Sequence, residues 1–224
     1  MRSRFDEQLT LLSRELIEMG ALCEEVISMA SRALMDGDAT LARRVAPLDS
    51  EIDHKERSIE SMCLKLLLQQ QPVARDLRQI SAALKMITDM ERIGDQAEDI
   101  SEIVQFLNGR TVENADLLQE MSRAVIKMVT ESVDAYVKHD IMLAEKVVKD
   151  DDIVDSCFTT VKHKLIDAIA VNPSDGEYAL DLMMIAKYFE RIGDHATNIA
   201  GWVVFAVTGA HDGEENGHDL VCGG

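Results

Sequence analysis

The sequence is poor in residues that interrupt helices, and it has no long hydrophobic run. Only three prolines and twelve glycines are spread over 224 residues, and aromatic residues make up 4% of the chain. The long windows of Leu, Ala, Met, Glu, Lys and Arg between these breaks favour helix. The longest apolar stretch, WVVFAV at 202–207, is far shorter than the roughly 20 residues of a membrane-spanning helix. No alternating strand pattern is present, so we expect an all-α chain without a membrane span.

Basic residues and paired cysteines are also scarce. Lys and Arg number 23 against 41 Asp and Glu, and the net charge of −18 makes nucleic acid a poor partner. None of the four cysteines forms a C-x-x-C pair, and buried thiols of this kind suit a reducing compartment. The N-terminal segment MRSRFDEQLTLLSREL turns acidic at once and lacks the apolar core of a signal peptide. We therefore expect a soluble, cytoplasmic protein.

The chain does contain an internal repeat. ERIGDQAEDI at 91–100 is matched by ERIGDHATNI at 190–199, with seven of the ten positions identical. LARRVAPLDSEID at 41–53 is matched by LAEKVVKDDDIVD at 143–155, which keeps the Leu, Ala, Val and both aspartates. The offsets are 99 and 102 residues. Two nearly equal offsets indicate that one module has been duplicated.

Each module is predicted to form three helices. Apolar residues recur at helical spacing, and the breaks fall at matching places, Gly37-Asp38 with His139-Asp140 and Gln71-Pro72 with Asn172-Pro173. The predicted helices span 6–36, 39–70 and 74–107, then 114–138, 141–170 and 177–208. The expected fold is all-α, with two tandem, pseudo-symmetric three-helix bundles at 1–108 and 109–208 and a disordered acidic tail at 209–224.

Two pairs of carboxylates in each module are predicted to face each other. Asp49 and Asp53 lie four residues apart on one helix face, and Glu91 and Asp95 repeat that spacing on the next helix. The two pairs are equally far from Pro72, so a hairpin folded there brings them level, and the same argument holds around Asn172-Pro173. The candidate metal ligands are Asp49, Asp53, Glu91, Asp95 and Asp99 in the first module and Asp151, Asp155, Glu190, Asp194 and Asn198 in the second.

The chemistry of these ligands favours a hard cation. Clustered carboxylates repel one another unless a cation joins them, and oxygen-only ligands suit Mg²⁺, Ca²⁺, Mn²⁺ or iron as Fe³⁺. Asp99 and Asn198, one turn past Asp95 and Asp194, offer a fifth oxygen in each module. His195 points away from the acid face and is a poor ligand.

Two questions stay open at this point. Basic neighbours such as Arg92 could neutralise the acids without a metal. Gly94 and Gly193 each cost about 1 kcal/mol inside a helix, and they serve either the close approach of a neighbouring helix or a metal cluster, or tight helix packing alone. The alternative functions are a metal-dependent enzyme, phosphohydrolase or oxidase-like, and a metal-free helical scaffold. The absence of nucleophile–base and phosphate-loop motifs argues against an enzyme.

The doubled D-x-x-x-D and E-R-I-G-D pattern resembles the PhoU family of phosphate-uptake regulators. The matching segments are PVARDLRQISAALKMITDMERIGDQAEDI at 72–100 and LMMIAKYFERIGDHATNIA at 182–200, and the resemblance covers nearly the whole chain apart from the tail. One departure is Asp99, where the family commonly carries Asn.

The resemblance implies two three-helix bundles side by side, with metal clusters on E/D-x-x-x-D motifs. It also implies a cytoplasmic, usually dimeric, non-enzymatic protein that couples the phosphate ABC transporter ATPase to a sensor histidine kinase, with peripheral association to that membrane complex. Such proteins repress the phosphate-starvation response and limit phosphate uptake. None of this circuit follows from residue spacing or charge.

Overall fold

The chain is almost entirely helical. The structure, a computed structural model, describes residues 2–70, 73–107, 109–110 and 115–210. Within these ranges there are seven α-helices, one short 3₁₀ turn at Pro173–Asp175 and no strand. The helices are α1 Arg2–Asp36, α2 Ala39–Ala42, α3 Val45–Gln70, α4 Ala74–Phe106, α5 Asp116–Lys138, α6 Ile141–Val171 and α7 Gly176–Thr208. The all-α prediction with two tandem helical modules is confirmed.

The first turn of each module is built in the same way. Gly37 and His139 adopt left-handed backbone angles, with φ of 63° and 55°, and end α1 and α5. The aspartate that follows caps the next helix: Asp38 accepts hydrogen bonds from the amides of Thr40 and Leu41, and Asp140 accepts one from Leu143. The breaks predicted at Gly37-Asp38 and His139-Asp140 are therefore confirmed.

The second turn is described in the second module only. Asn172 ends α6, and its side chain accepts a hydrogen bond from the amide of Ser174 in the 3₁₀ turn. The turn predicted at Gln71-Pro72 lies outside the described residues, although α3 ends at Gln70 and α4 begins at Ala74.

The prediction of one continuous helix over 39–70 is wrong. The chain forms α2, a turn at Arg43 and Arg44, and then α3. Pro47, in the first turn of α3, has no amide hydrogen to donate to the carbonyl of Arg43, and its ring crowds that carbonyl. The second module has Lys149 at this position, and its helix α6 runs unbroken from Ile141 to Val171.

The two bundles share one hydrophobic core. α1, α3 and α4 pack together, as do α5, α6 and α7, while α4 lies against α7 and α1 against α5. Buried side chains from both modules belong to one cluster. The predicted boundary at 108/109 stays a prediction because residue 108 lies outside the described residues, and 211–224 of the predicted tail lie outside them as well. Among the described helices, none is long and apolar enough to cross a membrane.

Candidate metal sites

The hairpin of α3 and α4 brings the first set of carboxylates together. α3 carries Asp49 and Asp53, and α4 carries Glu91 and Asp95. A Cβ atom added at Gly94 would overlap Oδ1 of Asp49, so the two helices meet at the predicted height. We call Asp49, Asp53, Glu91 and Asp95 the first acid site.

The hairpin of α6 and α7 repeats this arrangement. A Cβ atom added at Gly193 would lie 2.7 Å from Oδ1 of Asp151. Asp155, Asp194 and Glu190 all act on the carboxyl group of Asp151 electrostatically, which places them around it. We call Asp151, Asp155, Glu190 and Asp194 the second acid site.

The structure explains both ERIGD glycines in the same way. In each hairpin an aspartate on the preceding helix points its Oδ1 at the glycine, into space that a Cβ would fill. Ile52 and Val154, three residues after those aspartates, are the next nearest contacts. The glycines therefore admit a carboxylate of the neighbouring helix, an occupant that the sequence argument did not name.

Asp49 is buried and Asp151 is half-buried, and each of the two carboxylates lacks a hydrogen bond at one oxygen within the described part of the chain. Asp49 is 8% exposed. Oδ1 of Asp49 and Oδ1 of Asp151 both lack a hydrogen-bond partner among the described residues. Burial, followed by repulsion from Glu98 and Asp95, raises the pKa of Asp49 to about 7. Burial, followed by repulsion from Asp155 and Asp194, raises the pKa of Asp151 to about 6.

Of the six other acids of the two sites, which we call the outer acids, Glu91 and Asp194 also have raised pKa values. Burial, followed by repulsion from Asp95, raises the pKa of Glu91 above its ordinary value, although Arg92 opposes the shift. Burial, followed by repulsion from Glu190, likewise raises the pKa of Asp194. Both sites therefore concentrate negative charge that the fold does not fully neutralise.

Basic residues on the same helices pair with several of the outer acids. Arg92 Nη1 lies 2.7 Å from Asp95 Oδ2. Arg57 Nη2 lies 3.1 Å from Asp53 Oδ2, and Lys187 pairs with Glu190. The neutralisation suggested by the position of Arg92 is confirmed, but these partners leave the buried Oδ1 atoms untouched.

The side chains do not form a finished metal cage. In the described part of the chain, no group of three or more His, Cys, Asp or Glu side chains is arranged to hold a metal ion. Metal binding by the acid sites thus stays a prediction, and it requires outer acids to leave their Arg and Lys partners.

Sequence reasoning missed Glu98. Its carboxylate is the largest electrostatic influence on Asp49 after burial, and burial raises the pKa of Glu98 as well. Thr197 stands at the equivalent position in the second module. The signal was available, since Glu98 follows Asp95 by three residues and Glu91 by seven and so lies on the same helix face.

Asp99 and Asn198 face the opposite bundle. Asn198 Nδ2 donates to Asp89 Oδ1 on α4 at 3.2 Å. Asp99 has Arg191 and Tyr188 of α7 as neighbours, and burial raises the pKa of its carboxyl group. Their role as a fifth ligand stays a prediction, although Asp99 still acts on the first acid site through Asp95.

His195 also joins the two bundles. Its Nδ1 lies 2.9 Å from Asp89 Oδ1, so α7 meets α4 through a half-buried polar contact. This position agrees with the prediction that His195 points away from the acid face.

The residues present match a hard cation in ligand chemistry, although their arrangement in the described part of the chain does not form a cage. Each site supplies a buried carboxylate oxygen without a hydrogen-bond partner among the described residues, and all its candidate ligands are oxygens. A cation would offset the burial and the repulsion that together raise the pKa of Asp49 and Asp151.

The fold and the two acid sites define a tandem helical protein made from one duplicated carboxylate-bearing module. The PhoU domain matches residues 16–104 and 118–203. The chain belongs to the PhoU family.

Relatives and solved structures match over most of their length. The chain is 34% identical over 212 residues to the phosphate-specific transport system accessory protein PhoU homolog of Clostridium acetobutylicum, covering 93% of this chain and 96% of that protein. The crystal structure of PhoU from Pseudomonas aeruginosa superposes with a TM-score of 0.87 at 34% identity, covering 92% of this chain and 100% of that one. The phosphate transport system regulatory protein PhoU from Streptococcus pneumoniae has a TM-score of 0.84 at 25% identity, covering 92% and 98%.

Proposed function

We propose that the chain is a non-enzymatic accessory regulator of phosphate transport that binds metal ions through its two acid sites. In this proposal it is a cytoplasmic homodimer that couples the phosphate ABC transporter ATPase to a sensor histidine kinase. It represses the phosphate-starvation response and limits phosphate uptake when phosphate is plentiful. Family membership over both modules supports the regulatory role, since matched relatives are named as accessory or regulatory proteins of phosphate transport.

One observation carries the metal-binding part of the proposal. Asp49 and Asp151 occupy equivalent positions, and each keeps a buried oxygen without a partner beside a glycine. A buried carboxylate oxygen without a hydrogen bond is costly, and each module contains one. Mg²⁺, Mn²⁺, Ca²⁺ or iron would supply the missing positive charge and draw α3 to α4 and α6 to α7.

The chain's own residues determine what metal binding does. Asp49 and Asp151 lie between the two helices of their hairpins, where each contacts a glycine. Asp53, Asp95 and Glu190 instead pair with basic side chains that are largely at the surface. Metal binding therefore exchanges weak surface ion pairs for ligation and frees Arg57, Arg92 and Lys187. Those basic side chains then become available to a partner.

Metal analysis tests this part directly. Protein purified without chelator should contain bound Mg, Mn, Ca or Fe, measured by inductively coupled plasma mass spectrometry. Asp49→Asn combined with Asp151→Asn should lose most of it. Glu51→Gln with Asp152→Asn is a matched control, because both side chains are exposed on the same helices. Equal metal in the acid-site variant and the wild type would remove metal binding from the proposal.

The metal-free scaffold predicts a different result. Under that alternative, the thermal unfolding temperature is the same with EDTA and with added Mn²⁺ or Fe³⁺. The metal-binding proposal requires a concentration-dependent rise with the added ion, because a ligand that binds only the folded state stabilises it by mass action.

The partner claims need their own experiment. Tagged full-length chain should retain the purified transporter ATPase and the purified kinase in pull-downs at high phosphate, where the regulator acts. Failure to retain either one at high or low phosphate would contradict the coupling role while leaving the metal result intact.

A further inference from the structure

α1 and α5 are equivalent helices that end at the same point of their modules but begin at different points. Each ends just before a left-handed residue, Gly37 or His139, and an aspartate cap follows. α1 has 35 residues and α5 has 23. The missing 12 residues correspond to about 18 Å of helix. The shortfall lies at the start of α5, beside the end of α6.

In the first module the extra length of α1 covers the end of α3. Within residues 2–13, Phe5 and Leu12 are buried and Leu9 packs against the core. At the end of α3, Cys63 and Leu66 are buried almost completely. This part of the first bundle is therefore a complete three-helix core.

In the second module, no helix of the described residues covers the corresponding end of α6 in this way. Residues 162–171 include six apolar residues, and none of the buried residues of α6 lies beyond Val161. Leu165 and Ala168 stand where Cys63 and Leu66 stand in the first module, yet Leu165 is only partly buried and Ala168 is exposed. Val171 is 86% exposed. We call Leu165, Ala168, Ile169 and Val171 the uncovered face of α6.

The charges beside this face favour an acidic helix. In the first module Lys55 of α3 joins α1 through Glu15 at 2.6 Å and Glu18 at 2.5 Å. In the second module Lys162 and Lys164 are exposed along the end of α6. Lys162 and Lys164 correspond to Glu60 and Met62 of the first module, so the pairing of Lys55 with α1 has no direct counterpart here, but acids on the flank of a covering helix would pair with both lysines.

We propose that the uncovered face of α6 binds an amphipathic helix of another protein, which completes the second bundle as residues 2–13 complete the first. The helix needs apolar residues at spacings of three and four, as in Phe5, Leu9 and Leu12, and acidic residues beside them. A second copy of the chain is a poor occupant, because its matching segment already covers its own α3. About 12 residues of helix match the length that α5 lacks.

The chain supplies the probe for this proposal. A fluorescein-labelled peptide of residues 2–18, RSRFDEQLTLLSRELIE, should bind the full-length protein saturably, measured by fluorescence anisotropy. The same peptide with Leu9→Glu and Leu12→Glu should bind at least tenfold more weakly. Ala168→Glu with Val171→Glu in the protein should have the same effect.

Matched variants separate the two ends of the molecule. Leu64→Glu with Leu68→Glu places the same charges on exposed positions at the end of α3 and should leave peptide affinity unchanged. If Ala168→Glu with Val171→Glu lowers the unfolding temperature, Lys162→Glu with Lys164→Glu provides a second test and should also weaken binding. No saturable binding, or equal weakening by the variants at both ends, would overturn the proposal.

Two other occupants give distinct results. A wild-type dimer in sedimentation velocity that only the Ala168→Glu/Val171→Glu variant dissociates would show that a second copy covers the face. Binding to phosphatidylglycerol-containing vesicles that the same variant abolishes, without peptide binding, would assign the face to a membrane surface. Either result would refute the partner-helix proposal.

Discussion

Replacing three glycines inside α4 and α7 by alanine, one at a time, tests the geometry of the acid sites. Alanine is favoured over glycine inside a helix by about 1 kcal/mol. At Gly201 of α7 the added methyl group would meet no atom of the described residues within 4 Å, apart from the adjoining residues and nearby backbone of its own helix. Gly201→Ala should therefore raise the free energy of unfolding by up to about 1 kcal/mol, which serves as the reference.

Gly94→Ala should behave in the opposite way. Its methyl group would overlap Oδ1 of Asp49 and lie 3.1 Å from Cδ1 of Ile52, so a nearly buried carboxylate must move. Overpacking of this kind costs about 1–3 kcal/mol, which cancels or exceeds the helix gain. Gly193→Ala, with its contact at 2.7 Å, should fall between the two variants.

Urea unfolding in EDTA at pH 8 measures these differences. Removing the obstructing carboxylate should rescue the variant, so Asp49→Ala and Gly94→Ala should couple by about 1 kcal/mol or more in a double-mutant cycle. The reasoning fails if Gly94→Ala stabilises the protein as much as Gly201→Ala does. It also fails if the two substitutions are additive.

Three further predictions concern pH, a helix break and the linker. In EDTA the free energy of unfolding should fall as the pH rises from about 4 to about 7, because the raised pKa values of Asp49 and Asp151 let the folded state keep protons that the unfolded chain has released. Urea titrations should show that Asp49→Asn makes this fall less steep. An equally steep fall in that variant would contradict the prediction. Pro47→Lys, which copies the second module, should join α2 to α3. The new amide at position 47 should then exchange about tenfold or more slowly than the same amide in an unfolded chain. Exchange at the unfolded rate would show that the break has another cause. Arg110→Ala should lower the unfolding temperature by about 2–4 °C in calorimetry, since the guanidinium lies 3.9 Å from the Tyr178 ring centroid and 3.3 Å from Asp175; an unchanged temperature would make these contacts incidental.

That the two acid pairs of each hairpin lie side by side could be predicted, because their relative position depends only on local spacing. Carboxylates four residues apart share a helix face, and the hairpin turn fixes which residues of two neighbouring helices stand side by side. Asp49 opposite Gly94 and Asp151 opposite Gly193 follow from that arithmetic. The break before Pro47 could also have been predicted from the sequence, since proline is tolerated only in the first turn of a helix.

The contacts between bundles could not be predicted in this way. Asp89 meets His195 and Asn198 because α4 packs against α7, and no sequence period records which residues of the two helices meet. The same packing turns Asp99 toward Tyr188 and Arg191, although spacing alone assigned it to the acid face. The shortness of α5 likewise matters only when the structure shows what its missing turns leave uncovered.

Differences between the two copies predict unequal metal affinity. The first acid site has Glu98 and Asp99 nearby, whereas the second has Thr197 and Asn198, so the first has two more negative charges. Greater negative charge strengthens attraction for a divalent or trivalent cation, provided that the ligands reach it. Isothermal titration of the metal-free protein with Mn²⁺ should therefore resolve two affinities, and Asp49→Asn should remove the tighter one. Glu98→Thr with Asp99→Asn should bring the two together, whereas the exposed control Glu51→Gln should not. If the tighter affinity instead disappears with Asp151→Asn, the fixed geometry of the second site outweighs the charge of the first.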